Sequence, residues 1–334
     1  MTYALADELV LALAQSDRRA VTEHCTALVR DGLSLESLVD QGLAPAMREV
    51  GSLWEGGVWT VFDEHLATAV AEAGLSAAAA EVGSMGHDHG ELVVGCVEGD
   101  WHSLPVRMVA EVLATQGWGV RFLGASQPTA SLVDHVRRHR PNAVLLSCAV
   151  PMPLPALASA IVQLHGIGLP VYVGGRAVAS ADRASALGAD GWASSAGETL
   201  DLLHRAPRRD SYDMADALAR WTARSLDVED WLDASMTELR SLLPYMEDYP
   251  VTTIGRTRED LQHLIETAST SLLLQEQELL IEQCTWLARL LAARGVPADA
   301  LPQGLIALQR TVPAGADADA LDALLGAAHD SVAA

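Results

Sequence analysis

Hydrophobic and polar positions follow a helical period at both ends of the chain and a strand-like pattern in the middle. In residues 1–82, apolar residues recur at intervals of three and four, which predicts amphipathic helices. Thr60 followed by Asp63 is a capping-box pattern, so we expect the last of these helices to run from near Val61 to about Glu81. The segment as a whole predicts a bundle of four short antiparallel helices.

Between residues 91 and 205 the pattern changes to short apolar runs separated by helical segments. The runs that predict strands are Leu92 to Val97, Val120 to Leu123, Val144 to Cys148, Val171 to Val173 and a short one around Trp192. Strands joined by crossovers of this length lie parallel, so the segment predicts a five-stranded, doubly wound parallel sheet. The glycine-rich polar stretch 83–90 is expected to link it to the bundle.

Residues 211–334 return to helical periodicity. The candidate helices are Tyr212 to Arg224, Val228 to Leu243, Arg258 to Gln275, Gln277 to Arg294, Ala298 to Thr311 and Asp319 to Val332. Because these helices are too unequal for a simple bundle, an all-α domain with globin-like packing is predicted. We therefore expect three domains, at residues 1–82, 91–205 and 211–334.

Composition narrows the classes of function. The 334 residues carry a formal net charge of −22, which disfavours binding to nucleic acid or to anionic lipid. All 22 basic residues are arginines, and this excludes Schiff-base chemistry and a Walker-type phosphate loop, since both need lysine. No opening segment resembles a signal peptide and no apolar run approaches membrane-spanning length, so a soluble cytoplasmic protein is expected.

Small and polar residues follow three predicted strands at the sheet edge where ligands bind in open α/β folds. They are Asp100, His102 and Ser103 after the first strand, Ser147 and Val150 at the third, and Gly174 with Gly175 at the fourth. The Asp100 carboxylate can accept a hydrogen bond from one nitrogen of His102 and so present the other nitrogen to a metal. A lone Asp-x-His pair is more often an ordinary loop, but three such features at one edge favour a cofactor site.

Arg256 and Arg258 stand close together in the C-terminal segment. With Thr257 and Asp260 as caps, they are predicted to lie at a helix start, where guanidinium groups and free amides suit a carboxylate or phosphate ligand. The alternative is that both arginines pair with the surrounding excess of acid. Further candidates for the lining of a pocket, each singly more typical of core or helix surface, are Tyr249, His263, Cys284 and Trp286.

The loop with Asp100 and His102, followed by Ser147 and Gly174-Gly175, resembles the cobalamin-binding domain, whose pattern is D-x-H-x-x-G, then S-x-L and G-G. The resemblance implies that His102 is the lower ligand of cobalt. It also implies that the serine and the glycines line the slot for the nucleotide tail of the cofactor. The preceding helices resemble the cap that covers the upper face of the corrin ring.

Two positions depart from this pattern, because Pro105 stands where the family has glycine and Ala149 where it often has leucine. Trp54, separated by nine residues from Glu64-His65, is similar to the W-x9-E-H signature of cobalamin photoreceptors, the light-responsive carotenoid-gene repressors. By spacing alone these residues suit a core indole and a solvated helix start. The match implies instead that the indole packs against the adenosyl group of adenosylcobalamin and that the other two flank it.

A helical domain behind such a module resembles the arrangement in photocobilins, which pair adenosylcobalamin with biliverdin. The resemblance is architectural and is not carried by a motif. The two propionates of biliverdin fit Arg256 and Arg258, and its rings need apolar walls and a polar partner such as His263. Cys284 is a candidate for covalent attachment, with noncovalent binding at least equally favoured.

The sequence therefore predicts a light sensor, not an enzyme, in which cleavage of the cobalt–carbon bond changes conformation and oligomeric state. We expect a light-dependent homo-oligomer and a separate downstream signalling protein, with neither nucleic acid nor membrane as a partner. The main alternative is a corrinoid methyl carrier that serves a methyltransferase. A third possibility leaves the last domain with haem or with no ligand.

Overall fold

The computed structural model of the protein describes residues 2–83, 86–205, 219, 228–315 and 317–333. The chain divides into two compact units, Met1–Met214 and Ala215–Ala334. The helix predicted over Tyr212 to Arg224 lies, apart from Ala219, outside the described residues. The two units are therefore considered separately.

The first unit opens with helices in the segment where the apolar periodicity predicts them, while the bundle of four helices stays a prediction. They are α1 (Thr2–Ala14), α2 (Arg18–Arg30), α3 (Leu35–Leu38), α4 (Ala44–Glu55) and α5 (Val61–Val82), with a π-helical turn, Val39–Leu43, between α3 and α4. The predicted start of α5 is confirmed, because Thr60 and Asp63 form a reciprocal cap. The Asp63 carboxylate accepts the backbone N–H of Thr60 at 2.8 Å, and the Thr60 hydroxyl accepts that of Asp63 at 3.3 Å.

The predicted five-stranded parallel sheet is confirmed. Its strands are β1 (Glu91–Cys96), β2 (Gly119–Gly124), β3 (Ala143–Ser147), β4 (Val171–Gly174) and β5 (Gly191–Trp192), in the order β2-β1-β3-β4-β5. The helices between and after them are α6 (Ser103–Thr115), α7 (Thr129–His139), α8 (Leu154–His165), α9 (Ala181–Ala186) and α10 (Ala196–Leu203). The strand order reverses between β1 and β3, so ligands are expected at the carboxyl ends of these two strands.

The helices α1–α5 pack directly against the sheet segment, within the same unit. Leu104 and Met108 on α6 are buried in one apolar cluster with the leucines of those helices. Asp40, on the π-helical turn, accepts the backbone N–H groups of Ala196 and Gly197 at 3.0 and 2.9 Å, where the dipole of α10 favours a carboxylate. These contacts hold the N-terminal helices beside α6, the helix that begins at the candidate site.

The described residues of the second unit form helices and the turns that connect them. Its helices are α11 (Val228–Leu242), α12 (Val251–Leu274), α13 (Glu278–Ala293), α14 (Ala300–Arg310) and α15 (Ala318–Val332), with a 3-10 turn at Pro244–Asp248. They surround one apolar core, which includes the fully buried Trp231. The globin-like packing stays a prediction. Within the described part of the chain, every helix is too short or too polar to span a lipid bilayer.

The predicted start of α12 at Arg258 is wrong, because the helix begins at Val251. Pro250, at the position before the first helical residue, has an extended backbone (φ −57°, ψ 151°) and so marks the boundary. Thr257 does not act as a cap, since its hydroxyl donates to the carbonyl oxygen of Thr253 at 3.0 Å, one turn earlier in the same helix. Arg256 and Arg258 therefore lie inside α12.

Candidate cofactor site

The loop between β1 and α6 holds the predicted Asp–His pair in the expected geometry. Asp100 is fully buried, and its Oδ1 atom accepts hydrogen bonds from Nδ1 of His102 at 2.7 Å and from the backbone N–H of His102 at 3.0 Å. The His102 side chain is 57% exposed. Because Nδ1 is engaged by the carboxylate, Nε2 is the nitrogen that this ring offers to a metal.

The second oxygen of Asp100 connects the histidine loop to the neighbouring strand. Its Oδ2 atom accepts the backbone N–H of Ala149, just after β3, at 2.6 Å. Burial by itself would raise the pKa of the Asp100 carboxyl, but the hydrogen bonds from His102 and Ala149 outweigh it and hold the pKa below its usual value. The group is thus a carboxylate at neutral pH, and its hydrogen bond raises the pKa of His102 against the opposing effect of burial.

The strands β3 and β4 end in register beside this loop, at Ser147 and Gly174. The backbone N–H of Cys148 donates to the carbonyl oxygen of Gly174 at 3.0 Å. Gly175 has φ of +93°, and a Cβ atom there would overlap the carbonyl oxygen of Cys148 and lie 2.7 Å from its nitrogen. Only glycine fits this position, because the backbones of Gly175 and Cys148 approach each other closely. Ser147, 5% exposed, and the half-buried Val150 follow the same edge.

The residues predicted to face the upper side of the cofactor lie at the ends of two adjacent helices. Trp54 is half-buried in the last turn of α4, and Glu64 and His65 lie in the first turn of α5. The Glu64 carboxylate is 2.6 Å from Nδ1 of His65 and accepts the Thr68 hydroxyl at 2.8 Å. The charge of Glu64 also contributes to raising the pKa of His102, so the start of α5 lies within electrostatic range of the histidine loop.

Pro105 occupies a position where a proline does little harm. It is the third residue of α6, in the first turn, and it is exposed. Backbone N–H groups in a first helical turn have no partner within the helix, so the missing N–H of proline costs no hydrogen bond there. This departure from the cobalamin pattern therefore leaves the helix start intact.

The structure does not bring the two arginines of the second unit together, so the predicted anion site at a helix start is wrong. Arg258 donates to the carboxylates of Glu229, at 2.6 Å, and Asp233 on α11, which is the acid pairing that the sequence left open. Residues two apart in a helix point in nearly opposite directions. Arg256 instead shares a face of α12 with Asp260 and His263, at spacings of four and three.

The remaining candidates in the second unit belong to its core or its margin. Cys284 is fully buried, and burial raises the pKa of its thiol to about 12, so the thiol is protonated and shielded. Tyr249 and Trp286 are half-buried and pack against the apolar core. Burial also raises the pKa of Asp260, an effect that the charges of His263 and Arg256 oppose. Asp260 and His263 are thus half-buried polar groups, and Arg256 on the same face of α12 is exposed.

The first unit matches known cobalamin-binding sequences along most of its length. Residues 5–78 and residues 90–201 each match a family model described as a B12 binding domain. Dimethylamine corrinoid protein 1 of Methanosarcina acetivorans is 30% identical over 174 residues, which are 50% of this chain and 81% of that protein. The chain therefore belongs to the family of B12-binding corrinoid proteins, and its cofactor is a corrinoid.

The chain is also similar to a transcriptional repressor and to a corrinoid protein of known structure. The HTH-type transcriptional repressor CarH of Myxococcus xanthus is 34% identical over 146 residues, which are 42% of this chain and 48% of that repressor. The solved structure of the Methanosarcina barkeri monomethylamine corrinoid protein superposes with a TM-score of 0.53 and 20% identity, over 60% of this chain and 99% of that one. At this identity the superposition supports the fold alone.

The site fits a corrinoid on structural grounds as well. A corrinoid would need only one oriented imidazole nitrogen from the protein to hold its cobalt. His102 provides that nitrogen, and the ends of β3 and β4 lie beside it at the same edge of the sheet. The sequence had identified both features. It had not identified the contact of Asp100 with Ala149, since 49 residues separate the two.

Proposed function

We propose that this protein is a light sensor that binds adenosylcobalamin between the start of α5 and the loop-bearing edge of the sheet. The observation that carries the proposal is the orientation of His102 by Asp100 at the start of α6, the helix against which the N-terminal helices with Trp54, Glu64 and His65 pack. It supports a single cofactor facing both the photoreceptor signature on α4 and α5 and the cobalamin motif after β1. The 34% identity to the repressor CarH over 146 residues supports the same assignment.

Each residue of the site then has a role. His102 would hold the cobalt through Nε2, Asp100 orients its ring, and Ser103 lies beside it in the first turn of α6. Ser147, Val150, Gly174 and Gly175 would hold the nucleotide tail of the cofactor. Adenosylcobalamin supplies a cobalt–carbon bond that light breaks, which releases the adenosyl group.

The residues on α4 and α5 would couple the state of the cofactor to the conformation of the protein. Trp54 packs against the adenosyl group, with Glu64 and His65 on its flanks. Phe62 and Leu66, 76% and 51% exposed, give the start of α5 an apolar surface of the kind that a flat macrocycle or a partner subunit covers. Trp54 would contact the adenosyl group in only one of the two ligand states, so the two states would favour different positions of α5 and different subunit contacts. A separate protein would read this change.

Trp54→Ala gives the test of this assignment. The wild type should bind adenosylcobalamin more tightly than methylcobalamin in the dark, because the indole adds an aromatic contact with the adenine. Such a contact is worth about 0.5–1.5 kcal/mol beyond the area it buries, so the substitution should weaken adenosylcobalamin binding by roughly 2- to 13-fold or more. Methylcobalamin binding should change little. Absorption titrations in the dark measure both affinities.

A corrinoid methyl carrier is the second candidate, favoured by the 30% identity to a dimethylamine corrinoid protein across 81% of that relative. It predicts equal or tighter binding of methylcobalamin and no special dependence on Trp54. A methyl carrier would also transfer its methyl group to an acceptor protein or thiol in darkness. If Trp54→Ala lowers the affinities for both cobalamins equally, this second function is the better account.

We further propose that the second unit binds biliverdin without a covalent bond, since the Cys284 thiol is buried and protonated. The face of α12 with Arg256, Asp260 and His263 offers a cation for a propionate and polar partners for the pyrrole nitrogens. Half-buried Tyr249 and Trp286 provide aromatic surface for the rings. The bound pigment would extend absorption to longer wavelengths.

Arg256→Ala and Arg258→Ala form a matched pair for this site. A hydrogen bond to a charged group contributes about 1.5–3 kcal/mol, so Arg256→Ala should weaken biliverdin binding about tenfold or more. Arg258→Ala should bind biliverdin nearly as the wild type does, because its guanidinium is engaged by Glu229 and Asp233. Titration at the long-wavelength bilin band measures both, with cobalamin loading as the control. Equal losses in the two variants would reject this placement.

A further inference from the structure

The loop between β2 and α7 contacts the histidine loop along its length, although the sequence marked no site residue there. The backbone N–H of Ser126 donates to the carbonyl oxygen of Asp100 at 2.7 Å, and the Ser126 hydroxyl accepts the N–H of Gly99 at 3.1 Å. One residue on, Gln127 donates its N–H to the carbonyl oxygen of Cys96 at 3.4 Å. The two loops are thus joined on both sides of the turn that precedes His102.

A further hydrogen bond joins the histidine loop to the start of α7, and here the side chain comes from the histidine loop. The carboxylate of Glu98, in the histidine loop, accepts the backbone N–H of Thr129, the first residue of α7, at 2.9 Å. A carboxylate at a helix N-terminus satisfies a free amide and complements the helix dipole. The histidine loop is therefore fixed to α7 as well as to the end of β3.

Ser126 holds an uncommon backbone conformation. Its φ is +46°, in the left-handed region that residues other than glycine rarely adopt. Such a conformation persists where surrounding contacts hold it. Here the contacts are those of Ser126 with Gly99 and Asp100, the two residues that set the position of the buried carboxylate.

We propose that Ser126 is a positioning residue for the cobalt ligand, acting on His102 through Asp100. Its hydroxyl fixes the amide of Gly99, its own amide fixes the carbonyl of Asp100, and the Asp100 carboxylate then orients the imidazole. Metal ligation tolerates errors of only a few tenths of an ångström, so a shift of the Asp100 backbone changes ligation by Nε2. This inference rests on the proposed role of His102 as the lower ligand.

Two substitutions separate a positioning role from a merely structural one. Ser126→Gly removes the hydroxyl and relieves the left-handed strain, so the unfolding midpoint should stay the same or rise while ligation weakens. Ser126→Thr keeps the hydroxyl but places a β-branched side chain at positive φ, so the midpoint should fall while ligation is retained. Ser131→Ala, at an exposed serine of α7, is the control and should match the wild type in both measurements.

The measurement is electron paramagnetic resonance of the cobalamin-loaded protein after anaerobic reduction, with histidine labelled by the heavy nitrogen isotope. In the wild type the splitting by the lower-ligand nitrogen should change with the label, because that nitrogen comes from His102. In Ser126→Gly, the ratio of histidine-ligated to unligated cobalt should fall about threefold to tenfold, the effect of one lost hydrogen bond. Ser126→Thr should keep the wild-type ratio. Thermal unfolding of the same samples gives the midpoints.

The outcomes distinguish this inference from the function it rests on. If the wild type shows label-dependent splitting and Ser126→Gly shows it undiminished, the positioning role of Ser126 is overturned and His102 remains the ligand. If the nitrogen splitting of the wild type does not change with the label and His102→Ala gives the same spectrum, His102 is not the cobalt ligand. The positioning role of Ser126 is then rejected as well. Loss of ligation in both Ser126→Gly and Ser126→Thr would mean that the hydroxyl is not the responsible group.

Discussion

Cobalamin should be lost from Gly175→Ala and retained by Gly168→Ala. Both glycines have positive φ, +93° and +83°, so each alanine carries a backbone strain of about 1–2 kcal/mol. Only at position 175 does the new Cβ atom also overlap the backbone of Cys148, since position 168 has open space around it. The overlap must be relieved by moving the end of β3 or β4, at a further cost of about 1–3 kcal/mol.

The ends of β3 and β4, where we propose that the nucleotide tail binds, would shift in Gly175→Ala, and we expect a loss of cobalamin affinity of up to about a hundredfold, the upper end of that cost. Equilibrium dialysis against the cofactor measures this loss, and thermal unfolding shows whether the sheet survives. Gly168→Ala should lose only the folding stability that the backbone strain costs, about 1–2 kcal/mol, and keep its affinity. Equal affinities in the two variants would show that the strand ends beside Gly175 do not bind the cofactor.

Asp100→Asn should be the second most damaging substitution. The Asp100 carboxylate accepts three hydrogen bonds, two from His102 and one from Ala149. In asparagine one of the two oxygens is replaced by an NH₂ group, which cannot accept a hydrogen bond from these N–H groups. Loss of a carboxylate that orients a ligating imidazole typically costs 10- to 100-fold in metal affinity, and we expect about that loss of cobalamin. Asp88→Asn, at an exposed aspartate, serves as the control. If Asp100→Asn keeps the cobalamin affinity of the wild type, the carboxylate of Asp100 does not orient the cobalt ligand.

The same substitution should change the acid sensitivity of the apoprotein. The folded-state pKa of Asp100 is depressed, so its stabilising contribution is present above the unfolded pKa, about 3.9, and is lost as the pH falls through the folded pKa. The difference in unfolding midpoint between the wild type and Asp100→Asn should therefore narrow below about pH 4. A constant difference across that range would mean that the carboxylate is not ionised in the native state.

Local sequence signals were sufficient for the elements that carry the cofactor motifs. Apolar runs such as Val144 to Cys148 predicted a buried strand because both faces of a parallel sheet are covered by helices. The cap at Thr60 was predictable because its partner, Asp63, lies only three residues away. By the same logic, His102 and Gly175 could be located from strand ends alone.

Contacts between distant loops could not be predicted in this way. Nothing near Ser126 in the sequence indicates that it reaches Gly99, and nothing near Ala149 indicates that its amide meets Asp100. The error at α12 has a different cause, since Thr257 is typical of a cap as well as of a helix interior. Placing the helix start there put Arg256 and Arg258 at one site, whereas the longer helix separates them.

Sedimentation velocity of the adenosylcobalamin-loaded protein, kept dark or exposed to green light, shows whether light changes its assembly. We expect the adenosyl absorption band to be lost and the sedimentation coefficient to change together, because release of the adenosyl group from Trp54 would alter the subunit contacts. An illuminated sample that has lost its adenosyl group but sediments as the dark sample does would contradict a light-sensing function.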